Sequence, residues 1–460
     1  MKYISTRGGC SPQNFEQVLL TGLAPDGGLF VPEILPTVSI EQIRAMGSLS
    51  YADLALDLVT PFVDGEIPTP DLKTIIDQSY EAFDHPEVAP MTQLSEREYL
   101  LELYHGPTLA FKDFALQVLG RLLDYVLERN DQRVVILGAT SGDTGSAALE
   151  GCRHSERVEI YILHPYQRVS DVQRKQMTTV PGKNVFNLAI EGNFDDCQRI
   201  VKAAFADQSF LPNDKSLVAV NSINWARILM QIVYYFYSAL KLGAPDKRVS
   251  FSVPTGNFGN IFAGFIAKKM GFPVGRLLVA TNENDILDRF FKTGEYALGE
   301  VFRTNSPAMD IQVASNFERF LFYHFDEDAN RLCGFMEEFA RSGKASVDGP
   351  LPSDIFLSCS ISQSDTEETI AEINSKYGYV VDPHTAVGIR AAGSIVSDDP
   401  IVCIATAHPA KFPDALGRAI GYRPTHTRLS GLSDLQERKQ EVPADESEVK
   451  KVIQNFTAPV

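Results

Sequence analysis

From residue 130 onward, short runs of β-branched and apolar residues alternate with amphipathic stretches. The runs are VVILG (134–138), VEIYIL (158–163), VFNLAI (185–190), SLVAV (216–220), VSFSV (249–253), RLLVAT (276–281) and IVCIAT (401–406). Helical patterns lie between most of them, among them 195–206, 225–242, 261–270 and 366–377. A strand joined to the next through a helix of this length makes a right-handed crossover. The predicted fold is therefore α/β, with parallel sheets carrying helices on both faces.

The ends of the chain read differently. Pro, Gly and turn signals (APDGG, VPEILP, EIPTPD) mark residues 1–92 as an N-terminal segment packed on a main body at 93–425. Residues 426–460 turn charged and loop-like (LQERKQEVPADESEVKK), which predicts a C-terminal surface segment of helix and linker. A formal charge of −17 argues against nucleic-acid partners, because phosphate backbones need basic surfaces, and any anionic ligand must be met by a local cluster of donors. The six cysteines have no CxxC spacing, MKYISTRGG lacks the apolar core of a signal peptide, and no apolar run is long enough to span a bilayer. A cytoplasmic protein without a membrane partner, and a monomer or small homo-oligomer, is expected.

One lysine stands in an apolar setting, in HGPTLAFKDFALQ (105–117). Apolar residues at 111, 114, 115, 118, 119, 122, 123, 126 and 127 have the spacing of a helix with one buried face, and Pro107 and Thr108 suit its start. Lys112 falls in the first turn, where the positive end of the helix dipole disfavours a cation. A lysine of ordinary pKa ~10.4 is neutral in about one molecule in a few thousand at neutral pH, and burial lowers the value by up to ~3–5 units. A neutral amine attacks aldehydes. The competing reading is a lysine snorkelling from a helix edge.

Two glycine-containing loops follow strands and open helices. In VSFSVPTGNFGNIFAG, Gly256 and Gly259 are expected to turn backbone amides inward at a helix starting near Asn260, where a phosphate would sit. In VVILGATSGDTGSAA, the residues Ser141, Gly142, Asp143, Thr144 and Gly145 repeat the plan. Neither has the P-loop ending or the dinucleotide glycine spacing, and each alone fits ordinary strand-to-helix geometry. Thr406, ending IVCIAT, either bonds a ring nitrogen beyond the sheet or caps the helix begun at Pro409.

Together HGPTLAFKDFALQ, TSGDTG, NSINWARI, PTGNFGNIFAG, TNSPAMDIQVASNFERF and TAHPAKF resemble the threonine synthase family, pyridoxal-phosphate enzymes of the tryptophan-synthase-β-like fold. YISTRGG and TGLAPDGGLFVPE are similar to its longer, bacterial and fungal class, and the likeness runs in order to about position 415. The resemblance implies that pyridoxal 5′-phosphate is held covalently by Lys112, with its phosphate on Gly256, Asn257, Phe258, Gly259 and Asn260 and its pyridine nitrogen facing Thr406. It places Asp143 beside the cofactor, where relatives in the wider fold carry asparagine. The implied reaction is O-phospho-L-homoserine plus water to L-threonine plus phosphate, the last step of threonine biosynthesis, with Lys112 as general base. Candidates for the phosphate of this small-molecule substrate are Ser141, Thr144, Arg168, Ser170, Asn224 and Arg227. Asn224 equally suits the N-cap of the apolar helix it precedes, and Arg168 with Arg174 and Lys175 equally suits a solvated helix face.

Two competitors follow from the same residues. A phospho-lyase of this fold would share every cofactor residue and release a 2-oxo acid and ammonia. A metabolite-binding protein on a doubly wound sheet would leave Lys112 unreactive. His105 precedes the lysine helix outside the catalytic set, His384 and His408 adjoin prolines that start helices and are read as capping or structural, and no cluster has metal-ligand spacing.

Overall fold

The computed structural model of the chain describes residues 1–140 and 142–457. Two sheets dominate it. The first has six strands in the order Phe356–Ser360, Val274–Thr281, Val249–Pro254, Ile401–Ala405, Glu98–Glu102, Met91–Gln93, parallel except for the last, antiparallel pair. The second has five parallel strands in the order Gln440–Pro443, Val185–Glu191, Val158–Pro165, Arg133–Ala139, Lys215–Val218. Every residue of Val249–Pro254 and of Ile401–Ala405 is buried, as expected of parallel strands covered by helices on both faces.

All seven predicted runs contain a strand. SLVAV stops early, at Val218, where the chain turns and the Ala219 carbonyl accepts from Asn224 Nδ2 at 3.4 Å. The strands that the pattern did not single out are edge strands or their neighbours, such as Phe356–Ser360, which is mostly half-buried. Helix Trp225–Lys241 is buried from Trp225 through Ala239. It packs against helix Tyr51–Val63 on one side and helices Asp113–Arg129 and Gly259–Lys269 on others, which is why its sequence is apolar all round.

The N-terminal segment shares a core with the main body. The rings of Tyr3 and Phe62 each lie 6.2 Å from Trp225, and the Tyr3 hydroxyl donates to the Phe62 carbonyl at 2.8 Å. The motif NFERF fastens it further: Glu318 accepts from Thr6 and Arg7, and the fully buried Arg319 donates to the Phe30 carbonyl at 3.0 Å.

Residues 426–460 do more than cover the surface. Gln440–Pro443 adds an edge strand to the five-stranded sheet, and Val449 and Ile453 of helix Glu446–Thr457 join the core around Cys197 and Ile200. The segment is polar because one strand and one helix face bury only a few apolar residues. Among the described residues no helix is long and apolar enough to cross a membrane, and all six cysteines are free thiols.

Ile453 has no exposed surface. Ile453→Ala is expected to cost about 2–5 kcal/mol of stability, as truncation of a buried isoleucine does, whereas Gln454→Ala next to it stays within about 0.5 kcal/mol. Urea unfolding of both variants checks this.

Candidate active site

The carboxyl ends of the two sheets supply the side chains singled out by the sequence. The helix after Lys112 begins at Asp113 instead of at Pro107–Thr108, and Lys112 occupies its cap position. Asp113 sets this start: its carboxylate accepts from the Thr108 amide and the Thr108 hydroxyl, both at 2.8 Å, closing a turn ahead of the helix. Burial pushes the Asp113 carboxyl up to about 6 against the pull of those Thr108 bonds. The turn is tied to the segment after Ile401–Ala405 by a bridge between Ala110 and Ala407 and by the Phe111 amide donating to the Thr406 carbonyl at 2.8 Å.

The Lys112 side chain is 12% exposed. Burial is the main reason its pKa lies below the ordinary lysine value; the charges of Lys411 and Arg227 act the same way and Asp143 opposes them. Its Nζ is 3.6 Å from Asp143 Oδ2, across the gap between the two sheets.

Asp143 opens helix Asp143–Cys152 on the five-stranded sheet. Gly142 before it has φ 148°, and a Cβ there would stand 2.5 Å from Gln173 Cδ, so only glycine lets Gln173 reach Asp143. Gln173 Nε2 donates to Asp143 Oδ1 at 3.0 Å, and Lys411 Nζ lies 3.0 Å from the same oxygen. Burial alone would raise the Asp143 carboxyl, but Lys411 and Lys112 outweigh it and hold the group far below the carboxylate range. Thr144, in the first turn, is half-buried; Ser141 lies outside the described residues.

Sequence reasoning overlooked Lys411. It sits in TAHPAKF with its side chain wholly buried, and Nζ also donates to the Thr108 carbonyl at 2.7 Å. The signal was the same one that marked Lys112, a lysine among apolar residues next to a helix-starting proline.

The expected strand, turn and helix follow one another here. Helix Gly259–Lys269 starts at Gly259, and the residue with positive φ is Phe258 (φ 63°), held by packing against Phe291, Phe317, Phe320 and Phe356. A non-glycine residue in that region is strained and persists only where its surroundings enforce it. Gly256 serves close approach: a Cβ there would stand 2.4 Å from the Ala308 carbonyl oxygen. The first-turn amides have no partner within the helix and no acidic residue beside them, the setting that binds anions. Asn260 accepts from Tyr234 and Tyr235 through Oδ1, leaving its buried Nδ2 without a partner.

Thr406 is 6% exposed, and its buried hydroxyl has no hydrogen-bond partner among the described residues. The capping alternative is removed, because His408 caps the turn at Pro409–Lys411 by accepting from the Ala410 amide at 3.1 Å. Behind Thr406 stands Asp382, the N-cap of helix Pro383–Ala392. Its carboxylate takes the Thr385 hydroxyl, whose oxygen accepts from the Thr406 amide at 3.2 Å. The same carboxylate holds His384 Nδ1 at 2.8 Å, and His384 Nε2 accepts from the Ala308 amide at 3.2 Å, behind Gly256.

The proposed substrate-phosphate ligands separate into three groups. Asn224 is the helix cap: Oδ1 accepts from the Ala226 amide at 3.1 Å and Nδ2 donates to the Leu19 carbonyl at 3.0 Å, so this fully buried side chain is engaged internally and leaves the phosphate set. Arg227 is buried; among the described residues its only acceptor is the Val220 carbonyl at 3.4 Å, and Nε is unpartnered. Burial draws its pKa down to about 10. Arg168 and Ser170 are exposed, and Ser170 caps helix Asp171–Thr178. Arg174 pairs with Glu437 and Asp171, the solvated-face alternative.

A cavity of about 370 Å³ is lined by Leu109, His408 and Pro409 together with Glu102, His105, Tyr379 and His426. Glu102, although buried, is held at about 2 by hydrogen bonds from His105, Thr92 and Tyr379.

Comparison with known proteins decides the family. Residues 2–80 match the family described as threonine synthase N terminus, 86–345 the pyridoxal-phosphate dependent enzymes, and 385–453 the threonine synthase C-terminal family. Threonine synthase of Pseudomonas aeruginosa is 53% identical over 458 residues, covering 98% of this chain and 97% of that protein. The chain belongs to the threonine synthase family. Crystal structures agree: pyridoxal-phosphate-bound threonine synthase from Brucella melitensis superposes with a TM-score of 0.97 at 46% identity, covering 100% of both chains. The yeast threonine synthase structure gives 0.94 at 41% identity, covering 99% of this chain and 98% of that one.

The residues present fit the cofactor that threonine synthases of this fold carry. The first-turn amides of Gly259–Lys269 have no acidic residue beside them, the Thr406 hydroxyl has no hydrogen-bond partner among the described residues, and Lys112 is a buried amine of lowered pKa.

His408 supplies a pH test. Burial, with His426 and His105 adding, holds it down to about 4, against about 6.5 in an unfolded chain. As pH falls from 6.5 to 4 the unfolded chain takes up a proton that the folded chain refuses, so stability declines across that window. Scanning calorimetry from pH 7 to 4 is expected to show Tm falling less steeply in His408→Asn, which keeps a cap acceptor, than in the unaltered protein.

Proposed function

We infer that this chain is a pyridoxal-5′-phosphate enzyme that converts O-phospho-L-homoserine and water into L-threonine and phosphate, the last step of threonine biosynthesis. The observation that carries the reading is Lys112, buried, of lowered pKa and set between the two sheets, in a chain similar over nearly its whole length to threonine synthases. The six free thiols suit a cytosolic setting.

The reaction removes a proton from Cα, expels phosphate from Cγ and adds water at Cβ. Pyridoxal phosphate, when bound, supplies the electron sink for the negative charge that develops on the substrate carbons. Lys112 is the residue that would hold the cofactor covalently, and its neutral amine would take the proton from the substrate Cα. The Gly256–Asn260 turn would hold the cofactor phosphate by its amides, and Thr406 would offer its hydroxyl to the ring nitrogen. Asp143, accepting from Gln173 and paired with Lys411, borders the ring.

For the substrate phosphate we favour Arg227, whose guanidinium is buried and under-satisfied, together with Thr144 and Ser141 of TSGDTG. Arg168 and Ser170 stand at the solvent side, where they suit recruitment of the dianion more than its retention.

Lys112→Ala is expected to abolish the absorbance of the covalent cofactor linkage and to lower turnover by about 10²–10⁴-fold or more. Product analysis with phosphohomoserine separates threonine formation from the phospho-lyase alternative, which releases a 2-oxo acid. Hydrogen bonds to charged groups contribute about 1.5–3 kcal/mol, so Arg227→Gln is expected to raise KM for phosphohomoserine about 10- to 100-fold. Steady-state kinetics with an unchanged KM would remove Arg227 from the phosphate site.

A further inference from the structure

We propose that Lys411 is a positioning residue of this site: its ammonium takes up the charge of Asp143, so that Asp143 does not hold Lys112 as an ion and the Lys112 amine stays free to bind the cofactor aldehyde. The proposal rests on the reading of Lys112 given above and adds a residue that acts through Asp143.

The geometry separates the two lysines. Lys411 Nζ lies 3.0 Å from Asp143 Oδ1 and donates to the Thr108 carbonyl at 2.7 Å, so a wholly buried ammonium has two fixed acceptors. Lys112 Nζ is 3.6 Å from the other oxygen, beyond ordinary hydrogen-bond reach. Gln173 donates a further bond to Oδ1 at 3.0 Å, reinforcing the carboxylate on the Lys411 side. Two buried cations on one carboxylate leave an uncompensated charge, and in a dry site that excess is relieved when one amine gives up its proton. The amine with the weaker contact does so, and that is Lys112. Arg227, the other cation facing Lys112, acts in the same sense. A buried carboxylate with Lys112 as its sole cation would instead form a conventional ion pair, and a lysine in such a pair is a poor nucleophile. The burial of Lys411, costly in itself, thereby has a chemical reason.

The test removes the cofactor, adds back pyridoxal 5′-phosphate and follows the rate of covalent linkage against pH, whose midpoint reports the Lys112 amine. An opposite charge within about 4–6 Å shifts a pKa by about 1–3 units. Lys411→Met is therefore expected to raise the midpoint by about 1–3 units and Asp143→Asn to lower it. The double variant, which removes the pair together, is expected to return close to the unaltered protein. A merely structural role for Lys411 predicts lower thermal stability with an unmoved midpoint, and that result in Lys411→Met overturns the proposal. Should Lys411→Met fail to fold, an Asp143→Asn midpoint that is unchanged or raised overturns it equally. Borohydride trapping followed by peptide mass spectrometry of the unaltered protein keeps the two ideas apart: label on a residue other than Lys112 defeats the underlying assignment, whatever the variants do.

Discussion

Two lysines share one carboxylate between the sheets of this protein, and the rest of the site is arranged around that contact. Asp143 belongs to the five-stranded sheet, while Lys112 and Lys411 follow strands of the six-stranded sheet. Removing three charged groups from water is expensive unless each is paired and hydrogen-bonded. Here Lys411 finds the Thr108 carbonyl as well as Asp143, and Gln173 satisfies the carboxylate further. Of the two lysines, Lys112 has the longer contact with Asp143, 3.6 Å against 3.0 Å.

Much of this was legible because the chemistry requires unusual residues in ordinary places. A lysine one step off an apolar stripe, and glycine turns between strand and helix, stand out against the background composition. What escaped notice depends on contacts between distant segments. Lys411 is 299 positions from Lys112 (411 − 112) and gains its meaning only where the Ala110–Ala407 bridge brings the two stretches side by side. Asn224 had both a capping and a ligand reading on local grounds; the Leu19 carbonyl from the N-terminal segment settles it as a cap. The positive φ at Phe258 was hidden for the same reason, since four phenylalanines from other segments enforce it while the nearby glycines drew attention. Edge strands such as Gln440–Pro443 bury one side chain, too few for a pattern.

The N-terminal segment has a role beyond cover. Burial draws the Arg319 guanidinium down to about 9, yet it is fully hydrogen-bonded: to the Phe30 carbonyl at 3.0 Å, to Asn316 Oδ1 at 2.6 Å and to the Ile223 carbonyl at 2.6 Å. Asn316 in turn donates its amide to the Asn257 carbonyl at 3.0 Å. An unbroken line of hydrogen bonds thus joins the first strands of the chain to the anion-binding turn, so the segment before residue 92 braces the site from outside. Its removal would leave a buried guanidinium short of an acceptor, a cost well above that of lost surface packing.

Asp382 reaches two positions of the site at once, through His384 and Ala308 behind Gly256 and through Thr385 to Thr406. The span between the Gly256 turn and Thr406 is consequently a single dimension set by one helix start, like a caliper with both jaws on the same frame. A change at Asp382 would therefore be felt at both jaws together.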